Sequence, residues 1–414
     1  MPLEPQTARR SSPSGYGGTT ATPDCRGPGR VARGTILAAA TLTIMAPAII
    51  APSLPAMERV FADQPGVSLL VRLAMTITSL TVAFTAPLSG LVADRVGRRP
   101  LLLSSLVLYA VSGTAGYFLT DLWLLLSSRA LLGIAVGGVM TAVNATITDW
   151  FDGPERVSFL GLQQVFASLS GVLFLPLAGV LATIGWRVPF WLYSLAAVVA
   201  LVAAFAVRDR PPAASAPVDG GGRTVTGSVL GIYVLALVAT MVFYMAPTQV
   251  PFLLASQGIG PVLIGVIVAS STLASTLGGF AFPALRRRLR SAAITVVCVA
   301  LLGVGWVLVG GTGTVPGTVA GLLVGGLGVG FAIPNLTLRV SELAPPAWRG
   351  RIFSGLVAAI FLGQFLSPLV VQPVVQAFGV GDSFTWAGIA MLAGAAVAAA
   401  GARKRNPIKE RAVL

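Results

Sequence analysis

The sequence predicts an all-α membrane protein of twelve transmembrane helices, arranged as two six-helix bundles. Three observations carry that expectation. The first is composition: of 414 residues, 55% are hydrophobic and only 10% charged, with a mean hydropathy of +0.86. A water-soluble chain carries about 25% charged residues, and this one has too few to cover a soluble surface. The second is the spacing of those charges, which falls at the interval a bilayer-crossing helix needs, about 20 apolar residues. The third is a recurrence of landmarks between the two halves of the chain.

Charge-free stretches run over 34–57, 73–93, 100–120, 130–148, 157–186, 188–207, 224–285, 291–338, 352–381 and 383–402. Two are twice too long for one helix. Gln257-Gly258-Ile259-Gly260-Pro261 divides the first and Gly310-Gly311-Thr312-Gly313-Thr314 the second, both being turn-forming sequences that end helices. Twelve spans result. Residues 1–33, rich in Ser, Gly, Pro and Arg, lack an apolar signal core and read as a disordered cytoplasmic tail. The N-terminal bundle occupies 34–207, a polar Pro/Gly-rich linker 208–225, the C-terminal bundle 226–402 and a second cytoplasmic tail 403–414.

An even number of spans puts both termini on one side. Of the 28 Lys and Arg residues, 24 lie in the tails and even-numbered loops, whereas Arg59, Arg72 and Arg187 face the other side and Arg129 falls inside the fourth span. The positive-inside rule therefore makes both termini cytoplasmic. The net charge of +14 then reads as a topology signal facing anionic lipid rather than a nucleic-acid surface. The lipid bilayer is thus a predicted partner and nucleic acid is not. Gly90 and Gly279, Asn144 and Asn335, Asp149 and Glu342, and Arg156 and Arg349 recur in order at a nearly constant offset, which argues for a duplicated unit. Parallel six-helix repeats are a known carrier plan, with the site at their interface.

The loop after span two, Gly90-Leu91-Val92-Ala93-Asp94-Arg95-Val96-Gly97-Arg98-Arg99, closely resembles motif A of the major facilitator superfamily. Arg129-Ala130-Leu131-Leu132-Gly133-Ile134-Ala135-Val136-Gly137 is similar to motif B of its drug:proton antiporter families, with Leu132 in place of the usual Gln. Gly171-Val172-Leu173-Phe174-Leu175-Pro176-Leu177-Ala178-Gly179-Val180 resembles the antiporter motif C, with Leu175 and Val180 where glycines are expected. The resemblance implies alternating access and a latch from Asp94 to the start of span eleven near Gly350, favouring the cytoplasm-closed state. The physical case for that latch is a carboxylate near a helix N-terminus, held by Arg98 and Arg99, with Gly90 allowing close approach and Gly97 the turn.

Arg129 is the informative membrane charge, because an Arg at mid-helix costs about 2.5–3.5 kcal/mol on insertion scales. It either snorkels to the outer interface or serves coupling, and coupling is the preferred expectation; Arg72 reads as interfacial. No acidic residue falls within the centre of a span, so an embedded carboxylate for cationic substrates is missing, and Glu58 at the outer end of span one becomes the second coupling candidate. Helical spacing offers Asn144, Gln164, Phe174, Thr240, Tyr244, Asn335, Phe361, Gln364 and Phe365 as cavity candidates, with span seven breaking at Pro247 and Pro251. Such amides and aromatics suit a partly apolar solute. The Gly133/Gly137 and Gly321/Gly325 pairs are assigned to internal packing.

The chain has no His and two Cys. This excludes His-dependent catalysis, His-containing zinc sites and a disulfide framework. No enzyme activity, metal or cofactor is expected, and a proton gradient is the expected energy source. An Arg-dominated basic composition, 26 Arg against 2 Lys, suggests a GC-rich genome and a bacterial inner membrane. The expected function is proton-linked efflux of a neutral or anionic amphipathic small molecule by a monomeric carrier. The alternatives are an uptake carrier or facilitator for a small organic solute and, further off, a transporter-shaped sensor.

Overall fold

The computed structural model describes residues 28–207, 226–343 and 348–404. The predicted linker over 208–225 and most of both predicted tails lie outside the described residues. Span one comprises α1 (Arg30–Ala48), a 3-10 turn (Ala51–Ser53) and α2 (Leu54–Val60). Then come α3 (Val67–Val96), α4 (Arg98–Ala115), α5 (Leu122–Trp150) and α6 (Gly153–Ile184). Span six is a 3-10 stretch (Val188–Ser194) continued by α7 (Leu195–Ala206). Span seven comprises α8 (Thr226–Phe243) and α9 (Met245–Ser256). The chain closes with α10 (Pro261–Arg288), α11 (Ser291–Thr312), α12 (Val315–Leu343), α13 (Arg349–Phe378) and α14 (Val380–Lys404).

The described residues contain no strand, and twelve spans are present as predicted. Eleven are long and apolar enough to cross a bilayer on composition alone. The exception is α4, only 18 residues long and opening on the two charges of Arg98-Arg99-Pro100. Both predicted turns hold, Gly258 (φ 79°) and Gly313 (φ 61°) taking the left-handed backbone that ends α9 and α11.

Three boundaries differ from the sequence reading. The first helix starts at Arg30, so the predicted tail over 1–33 ends four residues early, and the last helix runs to Lys404 beyond the predicted 402. At the first of these a helix carries its arginines past the apolar core, where long basic side chains reach the interface. Arg33 does so by donating to the Pro28 carbonyl at 3.1 Å and stacking over Phe151. Span seven breaks at Tyr244 rather than at Pro247 or Pro251. A proline removes the hydrogen bond to the carbonyl four residues earlier, so Pro247 frees Phe243 and the break falls one turn upstream.

Within the first bundle α5 packs on α3 and α4, and α1 on α6; within the second α12 packs on α10 and α11, α14 on α11, and α8 on α13. Helices in lipid gain nothing from burying apolar surface against each other, so small residues that allow close approach hold them together. Gly133 lies on the Thr78 carbonyl of α3, Gly321 on the Gly305 carbonyl of α11 and Gly326 on the Ser271 carbonyl of α10. The two small-residue pairs flagged in the sequence thus serve internal packing. Aromatic donors pin the broken first helix of each bundle: Tyr109 to Leu42 O (2.8 Å) and Tyr193 to Ala46 O (2.6 Å) in one, Trp306 to Val242 O (2.8 Å) in the other.

The bundles meet through α6 with α10, α3 with α13 and α2 with α9. On α6 the face carrying Gly171, Leu175 and Gly179 is buried, and a side chain at Gly179 would run into the Pro261 carbonyl. One to three turns towards the arginine-rich end, the same face presents Gln164, Gly161 and Leu160 exposed. On α10 Gly265 and Ser271 are buried, whereas Gly279, Phe280 and Pro283 are exposed. The bundles are closed at the end poor in arginine and parted at the basic end.

Candidate functional site

The apex of the parted region lies where three helices from the two bundles meet. Ser79 on α3 donates to Gln364 Oε1 on α13 at 2.8 Å, and Tyr244, at the break of span seven, lies beside Ser79. Gln364 and Tyr244 were cavity candidates; Ser79 was missed. Phe361, Phe365 and Phe174 are partly buried, and Asn144 and Gln164 are exposed further towards the basic end, with Gln163 donating to Asn144 Oδ1 at 3.2 Å.

Two cavity candidates serve packing inside the second bundle instead. Thr240 Oγ1 donates to backbone carbonyls of its own helix and lies 3.1 Å from the Ile360 oxygen. Asn335, 1% exposed, donates to Ser291 O at 3.1 Å and Thr295 Oγ1 at 3.0 Å. Both sit where helices touch, so their polar groups satisfy neighbouring helices rather than a solute. Asn335 Oδ1 meets no partner and borders a small apolar pocket with Cys298 and Met391.

Arg129 does not snorkel. It is 1% exposed, and its Nη2 donates to the carbonyls of Ser112 (2.8 Å) and Gly113 (2.7 Å) while the guanidinium lies 4.9 Å from the rings of both Phe190 and Tyr193. Ser112 and Gly113 belong to the last turn of α4, whose carbonyls form the negative end of a helix dipole. Charge-assisted hydrogen bonds of about 1.5–3 kcal/mol each, with cation–π contacts of about 1–2 kcal/mol, offset the roughly 2.5–3.5 kcal/mol of inserting the charge. The geometry ties Arg129, the first coupling candidate, to α4 and span six inside one bundle.

Arg72 is the residue the sequence reading misplaced. It is 3% exposed, not interfacial, and stands in the closed end between the bundles. Its Nε donates to Gln249 Oε1 of α9 at 3.0 Å, its guanidinium lies 3.7 Å from the Phe252 ring, and Gln249 Nε2 reaches Gln372 of α13 at 3.4 Å. On its own bundle Arg72 Nη1 lies 3.5 Å from Glu58 Oε1 and also donates to the Ser68 carbonyl, and the Ser68 hydroxyl donates to the same carboxylate. The signal was available: a buried ionisable residue in a span marks function by default, and Gln249 between Pro247 and Pro251 is a lone amide in an apolar stretch. Their separation of 177 positions hid the pairing.

At the basic end two motif-A arginines make contacts within the first bundle. Arg98 Nε pairs with Asp149 Oδ2 at 3.0 Å and Nη1 donates to Ala93 O, and Arg99 donates to Ala204 O of α7. Arg95 is exposed, and Gly97 takes φ 100° as the cap between α3 and α4. The side chain of Asp94 lies outside the described residues. Among the described residues nothing comes within 4 Å of a side chain placed at Gly90 or at Gly350. Among them the close approach expected at Gly90 is not made, the bundles being parted at that end. The second half has a looser counterpart, Arg286 to Glu342 at 3.8 Å.

Two six-helix bundles that close on each other at one end and part at the other have the plan of a membrane carrier. Residues 36–368 match the Major Facilitator Superfamily. The chain belongs to that superfamily of transporters. It is 25% identical over 397 residues, 87% of this chain and 93% of the other, to the tetracycline resistance protein, class C, of Escherichia coli. It is also 25% identical over 187 residues to the multidrug resistance protein MdtL of Salmonella heidelberg (strain SL476), 44% of this chain and 47% of that one. Among solved structures, a POT family transporter in complex with a thioalcohol-conjugated peptide superposes with a TM-score of 0.75 at 12% identity, covering 90% of this chain and 96% of that one.

Proposed function

We propose that this multi-pass transporter is a monomeric exporter of a bacterial inner membrane, with both termini in the cytoplasm, that moves a neutral or anionic amphipathic small molecule outward in exchange for protons. The basic end is then cytoplasmic, and the structure is the inward-facing state of an alternating-access cycle. The observation that carries the substrate class is the neutral apex of the cavity. Ser79, Tyr244 and Gln364 offer hydrogen bonds but no charge, and Glu58, within span one, is already engaged by Arg72 and Ser68. A permanent cation at that apex would be buried unpaired, at a cost of several kcal/mol, whereas a neutral amphiphile needs only the amide, the hydroxyls and the aromatic walls. Resistance and multidrug relatives support the outward direction.

The departure from motif C does not remove the close contact that motif serves. Gly265 of α10 seats against the Leu175 carbonyl and Pro176, so the partner helix supplies the space that a glycine at 175 would give. Everted membrane vesicles test the reading. A neutral or anionic fluorescent amphiphile should accumulate when the lumen is acidic and leak out when a protonophore is added. Accumulation without a pH gradient would favour the facilitator, and preference for a matched quaternary ammonium dye would overturn the substrate class.

A further inference from the structure

We propose that Arg72 is the latch of the outer gate and that a proton arriving on Glu58 from the outer side releases it. The latch is built from two kinds of contact. Across the bundle interface Arg72 holds only neutral groups, the Gln249 amide and the Phe252 ring, and Gln249 is steadied by Gln372. The counter-charge sits on Arg72's own side, at Glu58. No ion pair has to be broken for the gate to open, so the ionisation of Glu58 acts through the environment in which the pair sits.

With the gate closed Arg72 is 3% exposed, and Coulomb attraction in such surroundings is several times stronger than in water. An ionised Glu58 therefore stabilises the closed gate more than the open one. A proton from the outer water adds to the carboxylate and neutralises it, with no other bond made or broken beyond the ion pair. Arg72 is then a buried cation that has lost its counter-charge and keeps only an amide, a ring and a backbone carbonyl, a closed state less stable than the paired one, and withdrawal into water as the gate opens relieves it. A stimulus shifts such an equilibrium only by its differential affinity for the two states, and here the proton binds the open state more tightly.

The ionisable surroundings of Glu58 are few. From α3 it meets Arg72 and the Ser68 hydroxyl; α9 and the 3-10 turn at Ala51–Ser53, which also pack on α2, carry no ionisable side chain. On its own segment Arg59 is exposed and turned to the Pro55 carbonyl, and Asp63 is exposed in the following loop.

This deepens the reading of proton-linked export, and the two fail separately. Spin labels at the exposed positions Ala62 and Gln257, in full-length protein with Cys25 and Cys298 replaced and held in lipid nanodiscs, report the outer gate by their distance distribution without any transport. Wild type should show the short distance at neutral pH and a several-fold larger long-distance fraction at acidic pH. Glu58→Gln should show the long distance at both, and Glu58→Asp should keep the pH response. Gln249→Glu, which puts a second carboxylate across the interface, should stay closed at a pH that opens wild type. An outer distance in wild type that ignores pH, or a Gln249→Glu protein that opens like wild type, would overturn the proposal even if Glu58→Gln fails to fold. Vesicle export that survives such a result would leave the function standing and remove only the latch.

Discussion

The two bundles share a helix plan but differ in where they bury charge. Among the described residues the fully buried ionised side chains, Arg72 and Arg129, both belong to the first bundle, whereas the second buries hydroxyls and amides such as Thr248, Gln249, Asn335 and Gln372. In the first, a cation is tolerated because a helix end and two aromatic faces surround it (Arg129) or because an acid on the same bundle balances it (Arg72). Each bundle is therefore electrostatically self-sufficient, and the interface between them carries a charge–amide contact, a cation–π contact and close glycine packing. Contacts of that kind are worth about 1–3 kcal/mol each, within the range a substrate or a proton can overcome. A cross-bundle ion pair sealed in lipid would be far harder to part.

The largest test of this asymmetry removes the self-contained charge. Arg129→Ala leaves the Ser112 and Gly113 carbonyls without their donor and a cavity between Phe190 and Tyr193. Lost charged hydrogen bonds and an unfilled cavity each cost a few kcal/mol. The expected outcome is a sharp fall in monodisperse protein on size exclusion and a melting temperature lowered by several degrees, with Arg129→Lys intermediate. A well-folded Arg129→Ala protein that has lost only transport would return Arg129 to the coupling role expected from its sequence.

A middle-sized effect should follow from Gly265→Val. Its side chain would overlap the Leu175 carbonyl and approach Pro176, both backbone atoms of α6 that cannot rotate away. Overpacking of this kind typically costs about 1–3 kcal/mol, and here it falls on the outer-closed state alone. The variant should fold, since the contact lies between bundles, but favour the outward-open state. Cysteines introduced along α10 should become more accessible from the outer side; unchanged accessibility would mean the glycine contact does not hold the gate.

The sequence made much of this legible, and the reasons are local. Charge-free intervals mark spans because insertion penalties act on each helix separately, and Gly258 and Gly313 mark turns because only their own φ matters. Proline breaks are readable only to within a turn, since the freed carbonyl at Phe243, not Pro247 itself, is where the helix gives way. Gln364 and Tyr244 were found by helical spacing, but Ser79, which bonds Gln364 beside Tyr244, offered no pattern on its own helix. The Arg72 latch draws on four helices and could not be assembled from any one of them. Motif A was recognisable as a motif, yet the pairing of Arg98 with Asp149 depends on how the end of α5 meets the start of α4.

The smallest effect is the most discriminating, because it uses a pair that the repeat makes equivalent. Asn144 and Asn335 hold corresponding places on α5 and α12, but Asn335 is buried and tied to Ser291 and Thr295, whereas Asn144 is exposed beside Gln163 on the parted side. Asn335→Ala removes both hydrogen bonds from a buried site and should lower stability by about 1–2 kcal/mol while leaving substrate affinity nearly unchanged in the protein that folds. Asn144→Ala strips an exposed amide and should alter stability by less than about 0.5 kcal/mol, with its effect appearing instead as a raised KM for transport in everted vesicles. Thermal melts and transport kinetics on the two variants separate these outcomes. If both lower stability alike and neither moves KM, the repeat positions are equivalent packing sites, and the line drawn here between a cavity-facing amide in one bundle and a packing amide in the other is lost.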